Sequence, residues 1–310
     1  MYCPYLRGKL YELKAVEELI EKKKITDEIV PIIEPVSETS VFDNFVTYMV
    51  KNKRKFIGIL NPQVGSYKTN NINNYGKSEY FIEGRIIKSQ SDIDELQKMS
   101  SESSEKFAAI FVDSRSSNLD VSKIDNNEIY KVIPDSASFR QKFNNLDECI
   151  LLDDKFIKQK RNSDYLKIAS EFFSKDHQLY KKAGYIGFSD YSIIGEEFSD
   201  SGFAPYAVSI HIVYFDDDNA LKVRHFTSLS NSDTRDQNRK VQEALEKFTK
   251  WYNNEPQKNH SFGADYLKES YEKNQNHGLG VLKKCSIMHH LEIMNKYLTK
   301  QKNEGLYQVF

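Results

Sequence analysis

Phe107-Ala-Ala-Ile-Phe-Val112 is the most strand-like stretch of the chain, six apolar residues that stop on the carboxylate of Asp113. Working outward, five further apolar runs stop on an acid or an amide. They are residues 29–33 into Glu34, 56–60 into Asn61, 129–134 into Asp135, 148–152 into Asp153 and 185–189 into Asp190. Runs this short, alternating with stretches of helical periodicity, predict buried parallel strands. In such sheets ligands are met at the carboxyl ends of the strands, where the connecting loops can vary. The polar residues that end the runs therefore mark the expected address of a site.

Eight strands are read at residues 2–6, 29–33, 56–60, 80–87, 107–112, 129–133, 149–152 and 185–188. A helix is expected over 11–23, where Leu13, Val16, Leu19 and Ile20 recur at helical spacing. A second, opened by Ser40, carries Phe42, Phe45, Val46, Met49 and Val50 on one stripe, with Asp43 placed for a capping box. Further helices are expected over 92–99 after Ser91 and over 164–173. The connection between strands five and six offers one helical turn at most, at 119–124. The pattern predicts an α/β fold, a (β/α)8 TIM-barrel-like one, with weak crossovers after strands five and six. Beyond it, residues 207–215 and 221–227 alternate around Asp217-Asp218-Asn219 and read as a hairpin, followed by helices at 235–252 and 281–299. The expected division is a barrel with its β-hairpin over 1–230 and a C-terminal helical extension over 231–310, packed on the same domain.

Among 310 residues, 44 Lys and Arg nearly cancel 45 Asp and Glu, so no global field draws the protein to nucleic acid or membrane. That argues against a dedicated coating protein and leaves a local basic patch open. Cys3, Cys149 and Cys285 are far apart, without a C-x-x-C pair, and no signal peptide is read; a reduced, cytoplasmic location is expected. No apolar run approaches the roughly 20 residues that span a bilayer, so no membrane partner is expected.

If the strands close into a barrel, Glu34, Asp113, Asp135, Asp153 and Asp190 gather at one mouth. Glu34, Asp113, Asp135 and Asp153 would then hold Mg²⁺ or Mn²⁺, hard cations suited to phosphoryl substrates. Asp113, Asp153 and Asp190 would act in catalysis, with His211 moving a proton. The alternative for each Asp is a local helix cap or Asx turn. Arg7 and Lys9, flanking Gly8, would join Arg115 in binding a phosphate; the alternative is an ion pair with the acids nearby. Ser201 and Gly202 follow strand eight, where barrels often bind phosphate through backbone N–H groups, although their composition also suits an ordinary turn. His211 shares a strand face with Ser209 and Val213, which suits either a proton-transfer group or a hydrogen-bonded structural residue.

Pro134-Asp135 and Asp153-Asp154-Lys155 match in letters the signature of many metal-dependent nucleases, but both follow their strands and residues 138–145 between them look helical. Gly76-Lys77-Ser78 lacks the leading glycine of a phosphate loop, Gly278-Leu-Gly280 lacks a third glycine, and His289-His290 lacks the spacing of a helical zinc pair. Tyr67, Tyr75, Tyr80 and Phe81, with Lys68 and Lys77, interleave rings and cations as a single-strand nucleic-acid grip does, or else pack in the core.

The opening Tyr2-Cys-Pro-Tyr-Leu-Arg-Gly-Lys9 with Glu12, and then Pro31-Ile-Ile-Glu-Pro35, resembles the start of the phage T4 beta protein family. Gly187-Phe-Ser-Asp-Tyr191 and a hairpin ending in Val223-Arg-His225 are similar too. The segment 194–202, running into Tyr206-Ala-Val-Ser-Ile-His211, looks like a bacterial branch of that family. The resemblance covers Tyr2 to about Thr227. It implies a barrel-like α/β fold, an association with phages or bacterial defence loci, and a nuclease-like neighbour as partner. It implies no settled chemistry and transfers no catalytic residue. Two expectations follow. One is an enzyme on a phosphate-containing substrate, nucleotide or nucleic acid, as a metal-dependent phosphodiester or phosphate-ester hydrolase, with a nuclease as its variant. The other is a non-catalytic sensor or protein-interaction subunit that binds a phage component or partner protein.

Overall fold

Short apolar runs interrupted by proline become short parallel strands. The structure, a computed structural model, describes residues 1–67, 78–143, 146–199 and 204–305. Two units divide the chain. The first holds Met1–Leu13, Asp27–Asp154 and Asp176–Tyr191; the second holds Lys14–Thr26, Lys155–Lys175 and Ser192–Phe310.

The strands in chain order are β1 (Tyr5–Leu6), β2 (Ile32–Ile33), β3 (Phe56–Ile59), β4 (Phe81–Ile86), β5 (Phe107–Ile110), β6 (Ile129–Pro134), β7 (Cys149–Leu152), β8 (Ser170–Ser174), β9 (Gly187–Ser189), β10 (Ser209–Phe215) and β11 (Leu221–Thr227). In the first unit β1 to β7 and then β9 pair in that order, all in parallel. Tyr2 bridges to Ile29 on one side and Phe188 on the other. Cys3 donates to the Phe188 carbonyl at 2.8 Å and Tyr5 to that of Asp190 at 2.8 Å, so the last strand runs beside the first. The result is a nearly closed eight-stranded parallel barrel with helices, an α/β fold. Pro4 has no N–H and interrupts the first strand, yet its carbonyl accepts from Ile32 at 2.9 Å. Burial on both faces explains why these strands read as continuous apolar runs.

The helices α2 (Val41–Lys51), α3 (Gln90–Ser101), α4 (Ala137–Lys142) and α5 (Asp176–Leu179) belong to this unit, whereas α1 (Leu10–Glu21) begins in it and continues into the second. The stripe Phe42, Phe45, Val46 and Met49 is the buried face of α2, but Ser40 makes no side-chain cap bond there. Ser89, not Ser91, opens α3, and Asp92 closes its capping box by accepting from the Ser89 N–H at 2.8 Å. Between β5 and β6 the chain makes only two 3-10 turns, Ser114–Asn118 and Ser122–Ile124. Past β3, Asn61 behaves as an extra rung: its amide donates to the Ile86 carbonyl at 2.9 Å and accepts from the Ile86 N–H at 2.8 Å.

In the second unit β10 and β11 form the expected antiparallel hairpin, with Asn219 in the left-handed region at φ 56°. The helix expected over 164–173 is not formed. A 3-10 turn, Asn162–Lys167, gives way to β8, which pairs antiparallel with β11. The hairpin supplies a ladder edge, and that tertiary partner overrides the local helical pattern. One face of this sheet packs on α6 (Gln237–Tyr252), α7 (Phe262–Glu272) and α8 (Leu279–Asn303) through Ile210, Ile212, Phe226, Phe248 and Leu267. Sequence periodicity did not mark α7, whose cap is Ser261 accepting from Ala264 at 3.1 Å. Among the described residues no helix is long and apolar enough to cross a membrane.

Helices α7 and α8 approach backbone to backbone at Gly263, where an added Cβ would lie 2.5 Å from the Cys285 carbonyl oxygen. A carbonyl cannot rotate away as a side-chain tip can. Gly263→Ala is expected to cost about 1–3 kcal/mol by overpacking, read as a lower urea midpoint with an unchanged m value.

Candidate functional site

Parallel pairing sets the level at which each polar residue leaves the barrel. Ile110 pairs with Val132, Pro134 with Leu152, and Leu152 with Ser189. Asp113 lies three residues past Ile110 and Asp135 three past Val132, while Asp135, Asp153 and Asp190 directly follow Pro134, Leu152 and Ser189. Four aspartates therefore share one register level on the neighbouring strands β5, β6, β7 and β9. Leu6 pairs with Ile33, so Arg7 and Glu34 also leave β1 and β2 side by side. All stand at the carboxyl end of the barrel.

Arg7 and Glu34 form a buried ion pair there. Glu34, 0% exposed, accepts from the Arg7 guanidinium, from the Tyr5 hydroxyl at 2.7 Å and from the Gln63 N–H at 2.7 Å. The guanidinium lies 5.1 Å from the Tyr5 ring centre and 5.3 Å from that of Tyr191. Burial opposes the Arg7 charge, but Tyr5 and Glu34 outweigh it and hold the group above its ordinary pKa. Burial, reinforced by Glu34, pushes the Tyr5 hydroxyl far up. Gly8, at φ +64°, permits the turn: an added Cβ would sit 3.1 Å from the Glu34 carbonyl oxygen. The Arg7 N–H donates to Glu12 at 2.7 Å, so a buried acid anchors the same turn. Lys9 is half-buried beside it. Asp190 is buried as well and accepts from the Tyr2 hydroxyl at 2.7 Å.

The outer acids have local partners. Asp113 caps the first 3-10 turn, accepting from the Arg115 N–H at 2.8 Å and from its Nε at 2.8 Å, and these bonds hold its carboxyl below the usual range. Asp135 pairs with Arg140 while Ser136 caps α4. Asp153 is half-buried, and its N–H donates to the Ser189 carbonyl at 3.2 Å. Among the described residues no three His, Cys, Asp or Glu side chains form a group able to hold a metal ion. Both oxygens of Asp113 and one of Asp135 are already committed to arginine, so as arranged this donor set does not fit Mg²⁺ or Mn²⁺. Lys155, of the nuclease-like letters, belongs to the second unit, whereas Asp135 and Asp153 belong to the first. Ser201, Gly202, Lys68, Tyr75 and Lys77 lie outside the described residues. Tyr67 packs edge-on against Phe42 and Phe81 against Phe56, at 6.0 and 5.1 Å between ring centres.

Compared with family models, with curated proteins and with solved structures, the chain finds no match.

His211 belongs to the second unit, in a network sequence reading missed. It pairs across the hairpin with His225, Nδ1 to Nδ1 at 2.8 Å, and His225 Nε2 reaches Glu171 at 3.1 Å. Tyr165 covers both imidazoles at 4.6 and 4.4 Å between ring centres. Two facing Nδ1 atoms require one donor and one acceptor. If His225 gives its Nε2–H to the Glu171 carboxylate, its Nδ1 accepts from His211, leaving the lone pair of His211 on Nε2. Burial, followed by the neighbouring His225, pushes His211 well down; burial pushes His225 down to about 4. Burial also raises the Glu171 carboxyl. The pairing was implicit in the hairpin, because both histidines lie seven residues from Asp218 in the turn. His289 and His290 are core residues bonded to Ser261 and Ser192, and burial pushes the Cys3, Cys149 and Cys285 thiols up to about 12.

Two outcomes are expected. Glu34→Ala leaves Arg7 charged and buried and should cost about 3–5 kcal/mol, measured by urea denaturation. The imidazoles are depressed in the folded state, so between pH 6.5 and about 4 the unfolded chain binds more protons. Stability should therefore fall as the pH drops through that window. His225→Asn should flatten the dependence of the urea midpoint on pH; an unchanged slope would show that the pair does not carry it.

Proposed function

We propose that the carboxyl end of the barrel, taken as a (β/α)8 TIM-barrel-like fold of the phage T4 beta protein kind, binds a phosphate-containing ligand, nucleotide or nucleic acid. The setting proposed is a bacterial anti-phage or prophage-encoded system. The reading rests on one observation: four aspartates at one register level, the outer two held by exposed arginines. The Arg115 side chain is 91% exposed, and a surface pair of this kind contributes little to stability. A phosphate offers the same guanidinium two charge-assisted bonds and can displace the carboxylate. Arg140 stands in the same relation to Asp135. Arg7 and Glu34 form a buried pair at the same end of the barrel, with Lys9 next in the turn. The function proposed is binding, since three of the four carboxylates expected to hold a metal, Glu34, Asp113 and Asp135, are engaged by arginine.

A second reading, a non-catalytic sensor or interaction subunit, is favoured by β8. Among the described residues it has a strand neighbour on one side only, and Phe172 on it is 56% exposed. An open edge bearing an outward aromatic ring can take an added strand from a partner, here a nuclease-like protein or a phage component.

Differential scanning fluorimetry with a nucleoside triphosphate and a short oligonucleotide tests the first reading. The ligand is expected to raise Tm, less so at higher salt. The Arg115→Gln, Arg140→Gln double variant should keep the ligand-free Tm and lose the shift. Absence of any shift in the wild-type protein would overturn the proposal.

A further inference from the structure

The second unit contains a cavity separate from the barrel rim. Its position follows from strand lengths. On the β11 side, β8 runs out at Ser170, which pairs with Arg224, whereas β11 continues to Thr227. A cavity of about 260 Å³ opens beside that uncovered end of β11, walled by Arg224, Phe226, Thr227, Lys247, Trp251 and Tyr165.

The charge inside is one-sided. None of its nine lining residues is acidic, and two, Arg224 and Lys247, are basic. Arg224 is half-buried, stacked 5.8 Å from the Trp251 ring centre and 5.9 Å from that of Phe226. Among the described residues it has no carboxylate partner, unlike Arg7, Arg115, Arg140 and Arg235. Lys247 is half-buried too and spends one donor on the Thr227 carbonyl at 2.5 Å, again without a carboxylate. The nearby acids are turned to other work: Glu243 accepts from Leu229 and Ser230, and Glu171 from His225. Two half-buried cations facing one cavity repel each other, and an anion placed between them removes that cost.

We propose that this cavity is a binding site for a mononucleotide. Its phosphate monoester dianion matches the two positive charges, with the Arg224 fork supplying paired donors and Lys247 a point charge. Its base packs against the half-buried Trp251 ring that forms one wall of the cavity. The volume lies just below the roughly 300–1,000 Å³ usual for small-molecule sites, which admits one nucleotide and excludes a folded polymer. Every lining residue belongs to the second unit, so the site stands or falls independently of the barrel rim.

Trp251 is the one tryptophan of the chain, so its fluorescence reports this cavity alone. Excited at 295 nm and titrated with AMP or UMP, the full-length protein should show saturable quenching that weakens as salt is raised. Arg224→Gln and Lys247→Met should each weaken binding at least tenfold, with ligand-free emission and Tm as checks on folding. If Arg224→Gln disturbs the Trp251 stack, Lys247→Met carries the test, since its stem fills the same space. Arg115→Gln with Arg140→Gln should leave the quenching intact, which separates this site from the rim. The proposal is overturned if wild-type emission does not respond to either nucleotide, or if both cavity variants bind as the wild type does. Inorganic phosphate or benzoate quenching as well as AMP would overturn it too, because base and phosphate would not be recognised together.

Discussion

Three backbone hydrogen bonds, from Cys3 to Phe188, from Tyr5 to Asp190 and from Phe188 to Met1, turn a curved sheet into a nearly closed barrel. Without them both edges would present unpaired N–H and C=O groups to solvent. The strands concerned are very short, so side chains add to the seam. Tyr2 reaches Asp190, and the Ser189 hydroxyl donates to the Cys3 carbonyl at 2.5 Å. Closure is thus partly a side-chain matter, and one of the acids at the carboxyl end, Asp190, belongs to it. Register at the rim follows from the same seam, since each strand takes its level from its neighbour.

The rim acids accordingly fall into two kinds, and solvent is what separates them. Glu34 and Asp190 are buried, each accepting from a tyrosine hydroxyl, and Glu34 also from a guanidinium; removing either leaves polar groups stranded in a low dielectric. Asp113 and Asp135 stand in water with their arginines, where pairing and solvation nearly balance. A ligand can exchange with the second kind at small cost and with the first only at large cost. The histidine pair of the second unit follows the buried rule: a neutral network whose one shared proton fixes which ring donates.

Much of the fold was legible because it rests on local pattern. Apolar runs bounded by polar stops became the barrel strands, the α2 stripe became a buried face, and alternation about Asp218 became a hairpin. Residues 164–173 misled because Tyr165, Leu166, Ile168, Ala169, Phe172 and Phe173 suit a helix equally well, and only the edge of β11 decides for a strand. The end of the barrel at which a site would lie was also readable. Which acid pairs with which base was less so. Arg115 is two residues from Asp113 and announces an Asx turn, but Arg7 and Glu34 are 27 residues apart and meet only because β1 lies beside β2. The cavity beside Trp251 left no mark in the sequence, being a consequence of two strands of unequal reach.

The rung made by Asn61 carries a further consequence for the lifetime of the molecule. An amide that both donates and accepts across the β3–β4 gap cannot be replaced by a carboxylate, which lacks the N–H that the Ile86 carbonyl needs. Asparagine ordinarily ages into that carboxylate by ring closure through the amide nitrogen of the next residue. Here the next residue is Pro62, whose nitrogen carries no hydrogen and cannot close the ring. The side chain whose chemical identity the ladder can least do without is therefore shielded, by its own neighbour, from the commonest route of spontaneous decay.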